Sequence, residues 1–555
     1  MPEIVSKEAR FIIHIPASPQ NEDTHMVKEL LHLSDGTTKK NIRYIKNFCR
    51  PFWVTKEHYR NHKQKKESED IDHLLEGKAT ESHLGREIAI RLGSQYNCVT
   101  DLYTVKRSPY LYGVDVNSRT YIKYLYQQKY KNVSTPYEIA ILDIEADIMT
   151  NELTIISIAM RDKIYTVATR QYLEKKIVSS DKHTFKKEVI KKLEYLYDKY
   201  IPKTKLSESV SREYDVGDTE IDVVKLIMKR LHEWSPDIVA GWNVDYDISK
   251  ILELIESNHI DPKDIMCDPN MPRELRRFSY KQGRLKTAKG GAINPEQRWH
   301  VVTSTSSFYW IDAMATHYYI RVGGHSIPGG YSLDNILKSE LGKSLGKLKF
   351  KDVVAEHLKG VEWHKYMTVN KPLEYITYNQ WDVLSLLEMD DKTKDLCVVM
   401  PMLSGVSNFD IFNSGPKRII DALHFYYLSR GKVLGVKDPR AEDNNLLGLS
   451  DWILLMPSYR ISDNGKDILM EGGDKTNIRT HCFDADQCSG YPSNTQAANV
   501  SRDTTVRELA GIEGMTIDDF RTNNINLLFG KVNAISYGSE MFNLPNLFEL
   551  MNTEY

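Results

Sequence analysis

Apolar and polar positions change their rhythm at residue 138. From there, three runs, Ile139 to Ile144, Leu153 to Met160 and Ile164 to Ala168, are rich in Ile, Val, Thr or Tyr and are separated by short polar turns. That is the pattern of a strand meander. Ile221, Val224, Ile227, Leu231 and Trp234 then recur at helical spacing, and Ser235-Pro236 ends the helix they predict. A further strand, Asp237 to Ala240, leads through Gly-Trp-Asn-Val-Asp-Tyr-Asp into a helix carrying Ile248, Ile251, Leu252 and Ile255. Another helix opens at Pro372 and turns Ile376, Val383 and Leu387 inward. Three strands, a helix, a strand and a helix predict an α/β sandwich on a mixed sheet.

Before this region the pattern is less regular. Arg10 to Ile15 reads as a strand, and the charged stretch from Lys56 to Asp70 reads as a solvated helix or loop. Toward residue 137, Arg119, Lys123, Lys129 and Lys131 interleave with Tyr121, Tyr124, Tyr126 and Tyr130. Two readings fit this run: ammonium groups and rings arrayed for a nucleic-acid strand, or a tyrosine-rich amphipathic helix packed on a core. Downstream, a helix beginning near Pro416 carries Ile419, Ile420, Leu423, Tyr426 and Tyr427 and stops at Gly431. Gly- and Asp-rich stretches near 441 to 449 and 463 to 474 read as turns.

The length of 555 residues is too great for one core, so roughly three or four domains are expected. The formal charge of -2 does not advertise a nucleic-acid partner, and any basic surface must be local. Six cysteines are scattered, and the nearest pair, Cys482 and Cys488, lacks zinc-knuckle spacing. They read as reduced thiols. With no run of about 18 apolar residues and no signal-peptide core, the expectation is a cytoplasmic protein without membrane insertion, in the host cell's cytoplasm if viral. No internal repeat or low-complexity tract changes this picture.

The chemistry begins at the end of the first strand of the meander. Asp143 and Glu145 stand two residues apart, so on a strand they face the same way. Paired carboxylates at the end of a buried strand need a cation between them, and a divalent metal is the usual one. Asn243 and Asp247 sit at the later strand-to-helix turn, where side chains reach over a sheet edge. Tyr378 and Asp382 are four apart on one helical face. Each pair alone is ordinary. Together, on strand, turn and helix in that order, they are not.

Asp143-Ile-Glu145, Asn243-x-x-Tyr246-Asp247 and Tyr378-x-x-x-Asp382 resemble the three exonuclease motifs of family B DNA polymerases, whose proofreading domain has an RNase H-like fold. Tyr331-Ser-Leu-Asp334 and Leu345-Gly-Lys-Leu-Lys349 further resemble the T-even-type bacteriophage polymerases, although the second motif is one residue shorter than in that type. The resemblance runs from about residue 138 to 505. It implies 3′–5′ hydrolysis of DNA ends by two Mg²⁺ (or Mn²⁺) ions. Asp143 would bridge them, Glu145 and Asp382 would flank, and Asp247 would be an inner or water-mediated ligand. Tyr378 would orient the attacking water, Asn243 would support the loop or a substrate phosphate, and Tyr246 would meet the substrate. Gly217-Asp218-Thr219-Glu220 looks like a palm metal turn but precedes an amphipathic helix, where Asp218 or Thr219 is a natural N-cap.

Further on, Asp486-Gln-Cys-Ser489-Gly490-Tyr491-Pro492-Ser493 resembles the family's first polymerase motif, with Asp486 in the metal-ligand place and Ser489 and Tyr491 toward the nucleotide. Asn499-Val-Ser-Arg-Asp503-Thr continues the match, and Gly490 stands where Leu is usual. The implied organisation is an α/β, α+β multidomain chain: an N-terminal domain at 1–137, the exonuclease domain at 138–394, a helical connector returning to the N-terminal domain at 395–459, and a partial palm at 460–555. The fingers signature Lys-x-x-x-Asn-x-x-Tyr-Gly and a second palm acid do not follow; Lys531 to Gly538 has the wrong spacing.

The favoured expectation is therefore the N-terminal part of a split polymerase. A second chain would supply fingers, remaining palm and thumb, and only then would palm metals and a dNTP be bound. Primer-template DNA and a sliding clamp are the other expected partners. An exposed apolar surface around Leu527 to Leu550 would receive the second chain. The alternatives are a stand-alone 3′–5′ exonuclease with a vestigial palm and a non-catalytic DNA-binding scaffold.

Overall fold

The computed structural model describes residues 2–437, apart from 63–64, 94–100, 131–134, 175–181, 288–289, 322–325 and 399–414, together with five short strands farther along. Met1–Asn445 and Leu446–Tyr555 form two compact units.

In the first unit, β1 (Ile4–Ile15), β2 (Thr24–Leu33) and β3 (Thr38–Lys46) make an antiparallel sheet, and the expected strand at Arg10 is the buried end of β1. β4 (Arg50–Thr55) lies elsewhere in the unit. The charged stretch after it is solvent-facing loop, as expected, with a 3-10 turn at Glu57–Tyr59 among the described residues, but it ends in a strand, β5 (Ser68–Asp70), with Glu69 buried between Lys66 and His73. β6 (Leu74–Ala79) and β7 (Leu111–Tyr112) flank β4, and α1 (Leu84–Leu92) and α2 (Leu102–Val105) pack beside them.

The basic–aromatic run is a packed helix. In α3 (Ser118–Lys129) the Asn117 side chain caps the Thr120 N–H, and Tyr121, Ile122 and Lys123 are buried. Lys123 lies over the Tyr309 ring. Packing accounts for these buried side chains, whereas Lys129 is exposed; Lys131 is outside the described residues.

The meander follows as β8 (Ile139–Ala146), β9 (Leu153–Met160) and β10 (Lys163–Thr169). After α4 (Arg170–Glu174), α5 (Lys182–Tyr200) and α6 (Lys205–Ser209), an unforeseen strand, β11 (Ser211–Gly217), joins β10 in parallel. α7 (Glu220–Trp234) starts at a capping box in which Thr219 and Asp222 bond each other's backbone, so Asp218-Thr219 is a helix start, and Ser235 ends the helix in the left-handed region. β12 (Ile238–Gly241) leads into α8 (Val244–Ser257), followed by α9 (Pro262–Met266) and a hairpin of β13 (Phe278–Lys281) with β14 (Val301–Ser304). β15 (Tyr309–Asp312) completes a six-stranded sheet of order β11-β10-β9-β8-β12-β15, in which β9 runs antiparallel to the other strands. The expected mixed sheet is present.

Alternation along β8 assigns its two faces. Ala140, Leu142 and Ile144 enter a core with Val224, Ile227 and Leu231 of α7 and Ile248 of α8. Ile139 and Ile141 enter a second core shared with Phe11, Ile13 and Met26 of the first sheet. Helices α10 (Ala313–Thr316), α11 (Leu333–Leu341), α12 (Gly360–Asn370) and α13 (Pro372–Thr393) follow. Trp381, Leu384 and Leu387 of α13 close the second core, and its first turns, Leu373, Tyr375 and Ile376, enter a third. Because α13 is buried on nearly every side, its polar residues must find partners inside. Gln380 Nε2 accordingly donates to Thr166 Oγ1 at 3.2 Å, beside Ser157.

The two sheets are also tied by charge. Lys28 Nζ lies 2.8 Å from Asp237 Oδ1 and Arg10 3.2 Å from Oδ2, a buried cluster at the start of β12. After α14 (Asp395–Val398), the chain comes back to the N-terminal elements. Phe425 of α15 (Gly415–Leu428) stacks on Tyr124 at 3.8 Å, and β16 (Lys432–Leu434) pairs with β5.

In the second unit, β17 (Ser462–Asp463) and β18 (Lys466–Asp467) form a hairpin, and β19 (Thr505–Glu508), β20 (Ser536–Ser539) and β21 (Asn543–Asn546) an antiparallel sheet. Asp486, Ser489 and Tyr491, and the side chains of the apolar run from Leu527 to Leu550, lie outside the described residues. Among the described residues, no helix is long and apolar enough to cross a membrane.

Candidate metal centre

The same alternation that sends Ile139 and Ile141 toward α13 carries on to Asp143 and Glu145, the next two positions of that parity. Opposite them, Asp382 lies mid-way along α13, buried to 2% exposure. Asp143, Glu145 and Asp382 each present a carboxylate oxygen, and these oxygens lie within 4.8 Å of one another. Asp247 enters from the first turn of α8, behind Gly241 at the end of β12. All four acids thus gather near the carboxyl ends of β8 and β12, where open α/β sheets place their ligands.

Burial, reinforced by Asp382 and Glu145, drives the Asp143 carboxyl well above the carboxylate range. Burial pushes Glu145 up to about 7, with Asp382 adding to it. Asp247 is raised by burial and by Asp143, Asp312 and Glu145. Asp382 is also raised by burial, against the pull of Lys347. Four acids in one low-dielectric space cannot all ionise without cations. Asp247 Oδ2 and Asp382 Oδ1 are buried and have no hydrogen-bond partner. Orphaned carboxyl oxygens, on Asp382 within the group of three and on Asp247 beside it, fit hard divalent cations, which take oxygen donors.

Among the described residues, Lys347 brings a cation of the chain itself to the site. Lys347 Nζ lies 2.6 Å from Asp382 Oδ2 and 2.9 Å from the Tyr378 hydroxyl. Burial works against its ammonium, yet Asp382, Tyr378 and Asp143 hold its pKa well above the ordinary lysine value. Its loop is pinned at two points: Trp381 Nε1 donates to Gly346 O at 2.9 Å, and Lys347 N donates to Asp334 Oδ1 at 3.0 Å. Tyr378 is buried one turn before Asp382, and burial with the Asp382 charge raises its phenol above the usual value. It is a neutral hydroxyl, suited to hold a water and not to take its proton.

Two neighbours on the same helical stripe orient the strand acids. Asn379 Nδ2 donates to Asp143 Oδ2 at 2.6 Å, and the Tyr375 hydroxyl donates to Glu145 Oε2 at 2.5 Å. His364 Nδ1 lies 2.8 Å from the Tyr375 oxygen, closing a short relay. Asp312, at the end of β15, accepts the Val244 N–H at 3.1 Å and the Met314 and Ala315 N–H groups, fixing the start of α8. Burial pushes its own carboxyl up to about 6.

Of the residues expected from sequence, Asp143, Glu145, Asp382 and Tyr378 are brought together, and Asp247 stands behind them. Asn243 adopts the left-handed region (φ 69°) at the α8 start and makes no side-chain cap. It lines an open cavity of about 450 Å³ with Tyr246, Lys250 and Arg298. Tyr246 is 48% exposed there, and the charges of Glu145, Asp247 and Asp143 reach its phenol. The palm positions Asp486, Ser489 and Tyr491 are outside the described residues.

Tyr375, Asn379 and Asp312 were not anticipated, and Lys347 lies in the segment Leu345–Lys349 that the resemblance singled out without giving it a role. Tyr375 and Asn379 fall at i−7 and i−3 from Asp382, so helical spacing alone marks them. Lys347 carries no periodic signal, and Asp312 belongs to a strand too short to read. Comparison of the sequence with protein-family models and with curated proteins finds no match.

Proposed function

We propose that residues 138–394 form a divalent-metal-dependent nuclease that removes nucleotides from the 3′ end of a DNA strand. One observation carries the reading: Asp143, Glu145 and Asp382 converge within 4.8 Å on one side of the sheet. Two orphaned buried oxygens, on Asp382 and Asp247, add to it. The donor set favours Mg²⁺ or Mn²⁺ over softer ions. When bound to these carboxylates, such ions supply Lewis-acid activation of water and stabilise the departing 3′ oxygen.

The chain's own groups do the rest. Tyr378 holds the attacking water by its hydroxyl, and Lys347 fixes that hydroxyl and adds positive charge where the phosphorane becomes more negative. Asn379 and Tyr375 keep Asp143 and Glu145 aimed at the centre. Tyr246 at the mouth of the cavity offers a face for a terminal base, and Arg298 brings positive charge for a phosphate, while Lys250 is buried and paired with Glu253. The resemblance to family B polymerases supports the choice of DNA and of the 3′ end, and would make this an editing activity in a chain that also carries the palm-motif residues Asp486 and Tyr491.

The test is incubation of the full chain with Mg²⁺ and a 5′-labelled single-stranded oligodeoxynucleotide. A ladder of products shortened from the 3′ end is expected, absent with EDTA and in Asp143→Ala. Failure of the wild type to shorten the strand with either Mg²⁺ or Mn²⁺ overturns the proposal.

A further inference from the structure

We propose that His14, Asp23 and His25 form a second metal site, for a divalent transition ion of the zinc class, on the β1–β2 sheet. His14 and His25 are direct partners in the β1–β2 register, so their side chains stand beside each other on one face. Their rings stack at 4.8 Å between centroids. Asp23, two residues before His25, projects to that face. His14 Nε2 lies 3.1 Å from Asp23 Oδ2, and His25 Nδ1 lies 3.9 Å from Asp23 Oδ1.

That last pair is the telling one. Asp23 is 1% exposed and His25 0%, and neither Asp23 Oδ1 nor His25 Nδ1 has a hydrogen-bond partner. At 3.9 Å they are too far apart to bond each other. With metal–ligand bonds of about 2.0–2.2 Å, neighbouring ligands of a tetrahedral ion stand roughly 3.4 Å apart, so half an ångström of closure would suit one ion.

Other polar atoms of the group are already engaged, Asp23 Oδ2 with His14 Nε2 among them. His25 Nε2 lies 2.7 Å from Ser118 Oγ, and Ser118 N donates to Glu81. Asp23 Oδ2 accepts the Ser82 N–H at 2.9 Å. A ligand imidazole whose other nitrogen is held in this way is the arrangement that fixes its orientation toward a metal. His14, with 18% of its side chain exposed, leaves a side through which an ion and a water can enter. Two imidazole nitrogens with one carboxylate favour zinc-like ions over the all-oxygen preference of Mg²⁺. The bound ion would tie the ends of β1 and β2 to the 3-10 turn at Glu81–His83 and the first turn of α3.

The test uses the full chain carrying Asp143→Asn and Asp382→Asn, which disables the carboxylate centre. After incubation with Zn²⁺ and gel filtration, one equivalent of zinc per chain is expected, falling to near zero when His14→Ala or Asp23→Asn is added. The His14 side chain is partly exposed, and Asn at 23 retains an acceptor for Ser82. Should those variants not fold, Co²⁺ loading of the parent decides alone, since a nitrogen-ligated tetrahedral site gives intense visible bands. No retained zinc, zinc undiminished in both folded variants, or a colourless cobalt form overturns the proposal.

Discussion

Lys347 and Asp382 form a short ion pair, 2.6 Å between Nζ and Oδ2, at the centre of the carboxylate cluster. The ammonium is the chain's own counter-ion for acids that burial and mutual repulsion strain. Removing one partner of a fully buried pair costs about 3–5 kcal/mol because the other is left uncompensated; Asp382 is buried but 26% of the Lys347 side chain is exposed, so removing the lysine costs less than that. Lys347→Met should therefore lower the melting temperature of the metal-free protein by several degrees. Saturating Mg²⁺ or Mn²⁺ should narrow that deficit, since the metal neutralises the same oxygens. Thermal denaturation of both proteins with and without metal checks this. A deficit unchanged by metal would mean the two cations do not serve the same carboxylates.

Asp143 carries the reverse expectation. Its carboxyl is raised by burial, then by Asp382 and Glu145, so its charge is a liability in the metal-free fold. Asp143→Asn keeps the shape and an acceptor for Asn379, and should stabilise the metal-free protein by about 1 kcal/mol or more. The same change should lower 3′-end cleavage at least roughly a thousandfold, because a metal ligand is gone. Melting curves and single-turnover cleavage, measured side by side, test the two halves. A loss of stability together with a loss of activity would assign Asp143 an ordinary structural role.

How far this site could be read beforehand depended on what carries each residue. Asp143 and Glu145 follow from a strand period of two, and Tyr378 with Asp382 from a helix period, so local pattern alone put them on shared faces. Lys347 reaches Asp382 through a loop held by Gly346 O on Trp381 and Asp334 on the Lys347 N–H. Those contacts are tertiary, and no periodicity announces them. Strand β11, Ser-Arg-Glu-Tyr-Asp-Val-Gly, is an edge strand with few apolar residues, and β15 has four residues, which leaves Asp312 without a visible frame. The stretch ending at Asp70 becomes a strand because Lys432–Leu434 pairs with it, from a part of the chain no local window contains.

Gly241 is where backbone and site meet. A Cβ there would stand 3.0 Å from Asp247 Oδ2 and 3.1 Å from the Leu142 carbonyl. The carbonyl belongs to the sheet and cannot yield, so the orphaned Asp247 carboxylate must move. Gly241→Ala is expected to cost about 1–3 kcal/mol, as overpacking does, and to reduce cleavage roughly ten- to a hundredfold. Turnover at saturating metal, set against the melting temperature, is the measurement. Unchanged turnover would take Asp247 out of the reaction.

The raised acids also fix the sign of the pH dependence. In the unfolded chain a glutamate titrates near 4.5, whereas folded Glu145 is pushed up to about 7, chiefly by burial. Below 4.5 both states are protonated and Glu145 contributes nothing; between the two values the folded state holds a proton that the unfolded state has lost. Stability of the metal-free protein from this group must therefore fall as pH rises through that window, with the full penalty present above about 7. Asp143 and Asp247 are shifted in the same direction and add to the slope. Metal binding requires the ionised forms, so it releases protons and its stabilising effect should be larger at pH 8 than at pH 6. Tyr375→Phe removes the hydroxyl that donates to Glu145 Oε2 and favours its charge. In that variant the rise of metal affinity with pH should move to higher pH, by roughly one unit or less. Calorimetric titration of Mn²⁺ across this range, for wild type and variant, reads both effects. An affinity independent of pH would mean that the carboxyl groups of the cluster are not its ligands.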